Sequence, residues 1–247
     1  MPTTHHLDPQ QLDHCALIAA DSAGLADAAE GNLSAPVEHC PGWAVADLVR
    51  HVWEVHAFWG QVVERRLGDH SEFVAPPAPS DDELIDALRS GAGRLVQVLA
   101  AADPTTPVWT WASQQDAGFV IRHQVQEAAV HRWDAEHAAG RSFSIDRAAA
   151  ADAVDEFLQF SLGPADTGLD APLALVATDS AAAWTVRPAG DGAPVVAPGI
   201  AADDVAQIRG PASDLLLWIY GRSPTAALEV VGDPALPARL RRHASTD

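Results

Sequence analysis

Arg122-His-Gln-Val-Gln-Glu127-Ala-Ala-Val-His131-Arg-Trp-Asp134 forms the middle of a helix that the sequence places at about 119–138, stopped by Gly140. Its polar residues His123, Glu127, His131 and Asp134 recur at i, i+4, i+8 and i+11, which sets all four along one face. The opposite face, Ile121, Val125, Ala128, Ala129 and Arg132, is a weak apolar stripe. Two arrangements fit this pattern. Either the polar face is solvated, or it turns inward and the helix lines a polar cavity.

Working outward, helical signals dominate the first two thirds of the chain. Asp8-Pro9 reads as a helix start, followed by Leu12, Cys15, Ala16 and Ala19 at helical spacing. A loop over 31–42 ends in Cys40-Pro-Gly-Trp43. A second helix, about 45–67, buries Leu48, Val52, Val55, Trp59 and Val62; His51 falls on that same face, and His56 is expected to be exposed. Ser80-x-x-Glu83 reads as a capping box for a third helix with the stripe Leu84, Leu88, Gly91, Leu95 and Leu99. A fifth helix follows Ser144.

Beyond Gly163-Pro164 short β-like runs appear at 173–177, 184–187, 205–209 and 228–231, with a short helix at 213–220. The expected class is α+β: a helical bundle over 1–162, a linker at 163–171 and a small α/β domain at 172–247.

Composition narrows the function. The 34 acidic residues outnumber the 15 basic ones, all arginine, for a formal charge of -19. Such a field repels phosphate backbones and anionic membrane surfaces, so neither a nucleic acid nor a membrane is an expected partner. The absence of lysine and the wealth of alanine suggest a GC-rich, actinobacterial genome. Two cysteines, Cys15 and Cys40, make no disulfide framework. The amino terminus lacks the basic start and apolar core of a signal peptide, so a reducing cytoplasm is the expected setting. No P-loop, dinucleotide fingerprint or G-x-S-x-G elbow occurs.

Glu127 and His131, four apart on a helix, can reach one metal ion together, and His51 is the best third ligand. Two histidines and a carboxylate leave an open position, the pattern of a catalytic zinc. The plainer reading stays open at this point: E-x-x-x-H pairs are common on helix surfaces, and a histidine on an apolar face is often a hydrogen-bonded core residue. Arg222 reads as an exposed helix-end cation, with a substrate carboxylate as the alternative partner.

Pro41-Gly-Trp-Ala-Val-Ala-Asp-Leu-Val-Arg-His51 and Arg122–Asp134 resemble two segments of the mycothiol-dependent maleylpyruvate isomerase family. Trp109-Thr-Trp111, Thr178-Asp179 with Trp184-Thr-Val, and Leu215-Leu-Leu-Trp-Ile-Tyr-Gly-Arg222 extend the likeness over nearly the whole chain. The resemblance implies a DinB-like four-helix bundle binding zinc, or another divalent metal, through His51, Glu127 and His131. It also implies a sterol-carrier-like C-terminal domain whose Arg222 reaches the cleft between domains. The implied chemistry is a thiolate of mycothiol attacking an electrophilic small molecule, either in cis–trans isomerisation or as an S-transferase. His123 and Asp134 are candidate proton carriers or supports for the ligands. Two positions depart from the family pattern: Gln126 stands where a His is usual, and Ala44 where a Thr or Ser would cap the second helix. A metal hydrolase using water, and a non-catalytic ligand-binding module, are the alternatives. The chain is expected to be a monomer or homodimer.

Overall fold

The computed structural model describes residues 12–162, 168–189, 194–202 and 204–242. These fall into two compact units, one spanning Asp13–Ile145 and the other made by the described residues from Asp146 onward.

The first unit is a bundle of four helices: α1 (His14–Ala29), α2 (Val45–Arg65), α3 (Leu84–Ala101) and α4 (Ala117–Ala138). The helices α1 and α2 each pack against both α3 and α4, so α1 and α2 lie across the bundle from one another. A diagonal step needs a long crossover connection, and residues 30–44 supply it. The expected start at Asp8-Pro9 lies outside the described residues; α1 begins at His14, where the Asp13 carboxylate accepts the Ala16 N–H at 3.0 Å. The expected capping box at Ser80 is only half made. Glu83 accepts from the Ser80 N–H at 3.3 Å, but the Ser80 hydroxyl donates to the same carboxylate at 2.6 Å instead of capping the helix, which begins at Leu84.

Leu25, Val45, Leu48, Val49, Val52, Leu84 and Leu88 make the apolar core of one end of the bundle. The weak stripe on the back of α4 has its own explanation. Arg132 lies against α1 at Gly24, where any Cβ would collide with the guanidinium. It pairs there with Asp21 at 3.1 Å and Glu136 at 3.5 Å, and its cation sits 3.9 Å from the centre of the Phe143 ring.

The second unit opens with α5 (Arg147–Glu156), continued by a π-helical turn over Phe157–Ser161. A five-stranded sheet follows: β1 (Leu173–Ala177), β2 (Ala183–Arg187), β3 (Val195–Pro198), β4 (Ala206–Gly210) and β5 (Glu229–Val231). The order is β3-β2-β1-β4-β5, antiparallel except for β1 beside β4. Between β4 and β5 runs α6 (Ala212–Ile219), and α7 (Ala235–Arg242) closes the described chain. The Asp179 carboxylate accepts the Ala212 N–H at 3.0 Å and so fixes the start of α6. Helix α5 packs on α6, and the Trp184 indole of β2 donates to Asp155 at 2.9 Å. The fifth helix is thus built into the α/β unit, whereas the sequence reading draws the boundary after residue 162.

Candidate metal centre

The centre is assembled from α2 and α4, with the crossover loop as a brace. In Cys40-Pro-Gly-Trp43 the Trp43 N–H bonds back to the Cys40 carbonyl at 3.0 Å, and Gly42 takes a φ of +86°. Proline second and a positive-φ glycine third is the signature of a type II turn. The turn delivers the Trp43 ring to 5.2 Å from the His51 ring.

His51 on α2 faces Glu127 on α4, with Nε2 3.2 Å from Oε1. One helical turn further on, His131 Nε2 lies 3.3 Å from the same oxygen. The two imidazoles meet edge to face, 5.0 Å apart. His131 Nδ1 is 3.2 Å from the Asp134 carboxylate, so this buried acid fixes the ring with Nε2 turned toward Glu127. The polar face of α4 therefore turns inward: His131 and Asp134 are buried and Glu127 is largely so.

These three donors fit a divalent transition metal. One carboxylate oxygen and two imidazole nitrogens come within 4.8 Å of one another. The separations of 3.2 and 3.3 Å between Glu127 and the two nitrogens match the edge of a tetrahedron with bonds of about 2.0–2.1 Å.

The electrostatics agree. Burial would raise the Glu127 carboxyl, but the charge and hydrogen bond of His131, the hydrogen bond of His51 and the charge of His123 hold it well below the usual carboxylate range. Burial would lower His131, yet Glu127 and Asp134 push it up to about 9. The same two carboxylates that favour a proton on His131 would favour a metal cation in its place.

Four neighbours complete the picture. His123 is half-buried among rings, stacked on Phe119 at 5.3 Å and edge-on to Trp111 at 5.4 Å and Trp59 at 6.1 Å. Its Nδ1 lies 3.2 Å from the Gln126 amide nitrogen. His56, expected to be exposed, is instead 1% exposed, and neither of its ring nitrogens has a hydrogen-bond partner. The Gln124 amide on α4 is likewise buried with both polar atoms unpartnered. The burial of these two was not legible in the sequence. A histidine five positions from His51 reads as lying well round the helix, and α2 is covered on that side as well.

Two family models match the chain: the mycothiol maleylpyruvate isomerase N-terminal domain over residues 15–136 and the MDMPI C-terminal domain, of the same isomerase, over 148–239. The chain belongs to the mycothiol maleylpyruvate isomerase family. That family is one of enzymes. Two solved structures share the fold, a crystal structure of the mycothiol-dependent maleylpyruvate isomerase and one of a histidine-to-alanine mutant of it. Each superposes with a TM-score of 0.60 at 14% identity, covering 93% of this chain and 95% of the other. No curated protein sequence gives a significant match.

In this member of the mycothiol maleylpyruvate isomerase family Gln126 is buried and its amide nitrogen lies beside His123. Arg222 lies in the other compact unit. It is not the exposed cation that the sequence suggests. The residue is 9% exposed, and the guanidinium donates to the Tyr220 carbonyl at 2.8 Å and lies 5.7 Å from the centre of that ring. Neither cysteine is in a disulfide. Among the described residues no helix is long and apolar enough to cross a membrane.

Proposed function

We propose that this chain is a mycothiol-using enzyme in which His51, Glu127 and His131 hold a divalent metal, zinc by its donor set. The observation that carries the reading is the single Glu127 oxygen flanked by two imidazole nitrogens at 3.2 and 3.3 Å. A divalent ion in that set supplies Lewis acidity and favours the deprotonated form of a thiol brought to it.

The thiolate adds to one carbon of a conjugated double bond, and the displaced π pair moves onto the conjugated carbonyl oxygen. Rotation about the resulting single bond follows. The pair then returns, the C–S bond breaks with its pair going to sulfur, and the thiolate is recovered with no proton consumed. Where the attacked carbon carries a leaving group, the C–S bond forms as the bond to that group breaks, the group departs with the bonding pair, and the result is an S-transfer.

His123 is our candidate for serving the oxygen that gains charge. The Gln126 amide N–H faces Nδ1, which leaves Nε2 as the nitrogen carrying hydrogen in the neutral ring. Trp59, Trp111 and Phe119 pack against that ring and fix its orientation. Asp134 orients His131. Arg222, in the C-terminal unit, is our candidate for holding a substrate carboxylate, because a guanidinium takes a carboxylate through two parallel hydrogen bonds.

The test is metal content by mass spectrometry on untagged protein, beside His131→Ala. We expect about one tightly held zinc per wild-type chain, lost in the variant. We also expect isomerisation of a maleylpyruvate-type substrate, or conjugation of an electrophile, only when mycothiol is added. Turnover without any thiol would instead indicate the water-using hydrolase. Failure to take up a metal even from added zinc, with the fold intact, would leave a ligand-binding module.

A further inference from the structure

The end of α4 and the crossover loop bring a second set of metal-ligating side chains together. His137 Nε2 lies 2.8 Å from Glu38 Oε2, and one ligand atom from each of Glu38, His39 and His137 lies within 4.8 Å of the other two. The imidazoles are braced by a single indole. The His137 ring stacks on Trp133 at 4.8 Å and 8°, and the His39 ring lies 5.6 Å from the same indole and 5.7 Å from His137.

The loop carrying Glu38 and His39 is pinned on both sides, by the Val37 N–H on the Trp43 carbonyl at 2.9 Å and the Cys40 N–H on the Val37 carbonyl at 3.2 Å. The Glu38 carboxyl is held below its ordinary value, first by the hydrogen bond of His137 and then by the charges of His39 and His137. An ion pair between Glu38 and His137 would account for two of these side chains. It does not account for His39 turning a ligand atom to the same point, and an exposed pair of that kind has little stability to offer.

We propose that Glu38, His39 and His137 form a second metal site, open to solvent and distinct from the His51–Glu127–His131 centre. Two imidazoles and one carboxylate select a borderline divalent transition ion such as zinc, nickel or copper(II). Magnesium and calcium, which demand oxygen ligands, are poor fits. The Glu38 side chain is 68% exposed and that of His137 43%, so a bound ion keeps positions for water or an external ligand. That exposure also makes the site the weaker of the two, because its ligands are held by one indole and a loop and not by a packed bundle interior. The inference does not depend on the proposed catalytic role of the first centre.

The experiment is calorimetric titration of the full chain with zinc, in wild type, His39→Gln, His137→Gln and His131→Ala. Wild type is expected to bind two ions in a tighter and a weaker class. His39→Gln and His137→Gln should each lose the weaker class alone, and His131→Ala the tighter class alone. Copper(II) should quench a component of the tryptophan fluorescence that Trp133→Phe removes, without altering the stoichiometry. The proposal is overturned if wild type binds one ion that both glutamine variants retain, or if His39→Gln leaves both classes intact, which would reduce the cluster to a surface ion pair. A single class abolished by His137→Gln would uphold this site and remove the first.

Discussion

Asp134 is the residue whose role the helix spacing made least explicit. Sequence places it on the face of His123, Glu127 and His131, and the structure buries it with its carboxylate 3.2 Å from His131 Nδ1. A carboxylate behind a ligating histidine fixes the ring's tautomer and orientation, and removing one typically costs about 10–100-fold in metal affinity. Asp134→Asn keeps the shape and loses the charge. We expect its zinc affinity, measured by competition with a chelator, to fall within that range while the far-ultraviolet circular dichroism is unchanged. His56 illustrates the opposite case. Periodicity alone puts it off the buried stripe, but α2 packs against both α3 and α4, so more of its circumference is covered than one stripe predicts. Burial pushes its pKa down to about 4, the charges of His131 and His51 act in the same direction, and that of Glu127 opposes them. The unfolded chain, with an ordinary histidine value of about 6.5, therefore takes up this proton first as the pH falls. The contribution to stability is complete above neutral pH, is lost between about 6.5 and 4, and is flat below. In metal-free protein, urea unfolding should show wild type losing about 2 kcal/mol more than His56→Leu between pH 7 and pH 5.

At the scale of the element, the helices were legible where a single periodicity governed them, and the small pieces were not. Helix α2 begins at Val45 as the sequence indicates, but with a poor cap. Ala44 has an extended backbone and no side chain to accept the free N–H groups, and only the reciprocal bond is made, from the Ala44 N–H to Asp47 at 2.9 Å. Ala44→Ser restores the acceptor at a position whose backbone already suits it. It should raise stability by about 1 kcal/mol, read as a shift in the denaturant midpoint at constant slope, and should leave metal content unchanged. In the α/β unit the sequence locates β1 to the residue but misses β3 and α7. Strand β3 is a four-residue edge strand ending in Pro198, with no buried face to give it an alternating pattern. Helix α7 carries Pro237 in its first turn, where proline is tolerated because its missing N–H would have no helical partner. Read linearly, that proline signals a loop.

The whole molecule divides where the sequence offers little punctuation. Gly163-Pro164 is the visible break, yet the compact units part at Asp146, whose carboxylate caps α5 through the Ala148 and Ala149 N–H groups at 2.9 and 3.0 Å. The reason lies in what α5 and its π-helical turn bury. Ala150, Val154, Phe157 and Leu158 are fully buried, the Phe157 ring meets Tyr220 at 5.0 Å, and Asp155 holds the Trp184 indole. On the other side of the helix pair, α6 contributes Leu215, Leu216 and Trp218 to a core that β1 and β4 alone would leave open on that face. A helix is assigned to a unit by the partner its apolar face finds, and that partner lies some 60 residues downstream, outside the reach of any local signal. The consequence can be tested by cutting the chain in two places. A fragment of residues 146–247 keeps α5 on α6 and should unfold cooperatively on heating. One starting at residue 163 uncovers the α6 surface that α5 buries, so it should bind a hydrophobic dye and melt without a sharp transition. Equal cooperativity in the two fragments would return α5 to the bundle and place the boundary where the sequence draws it.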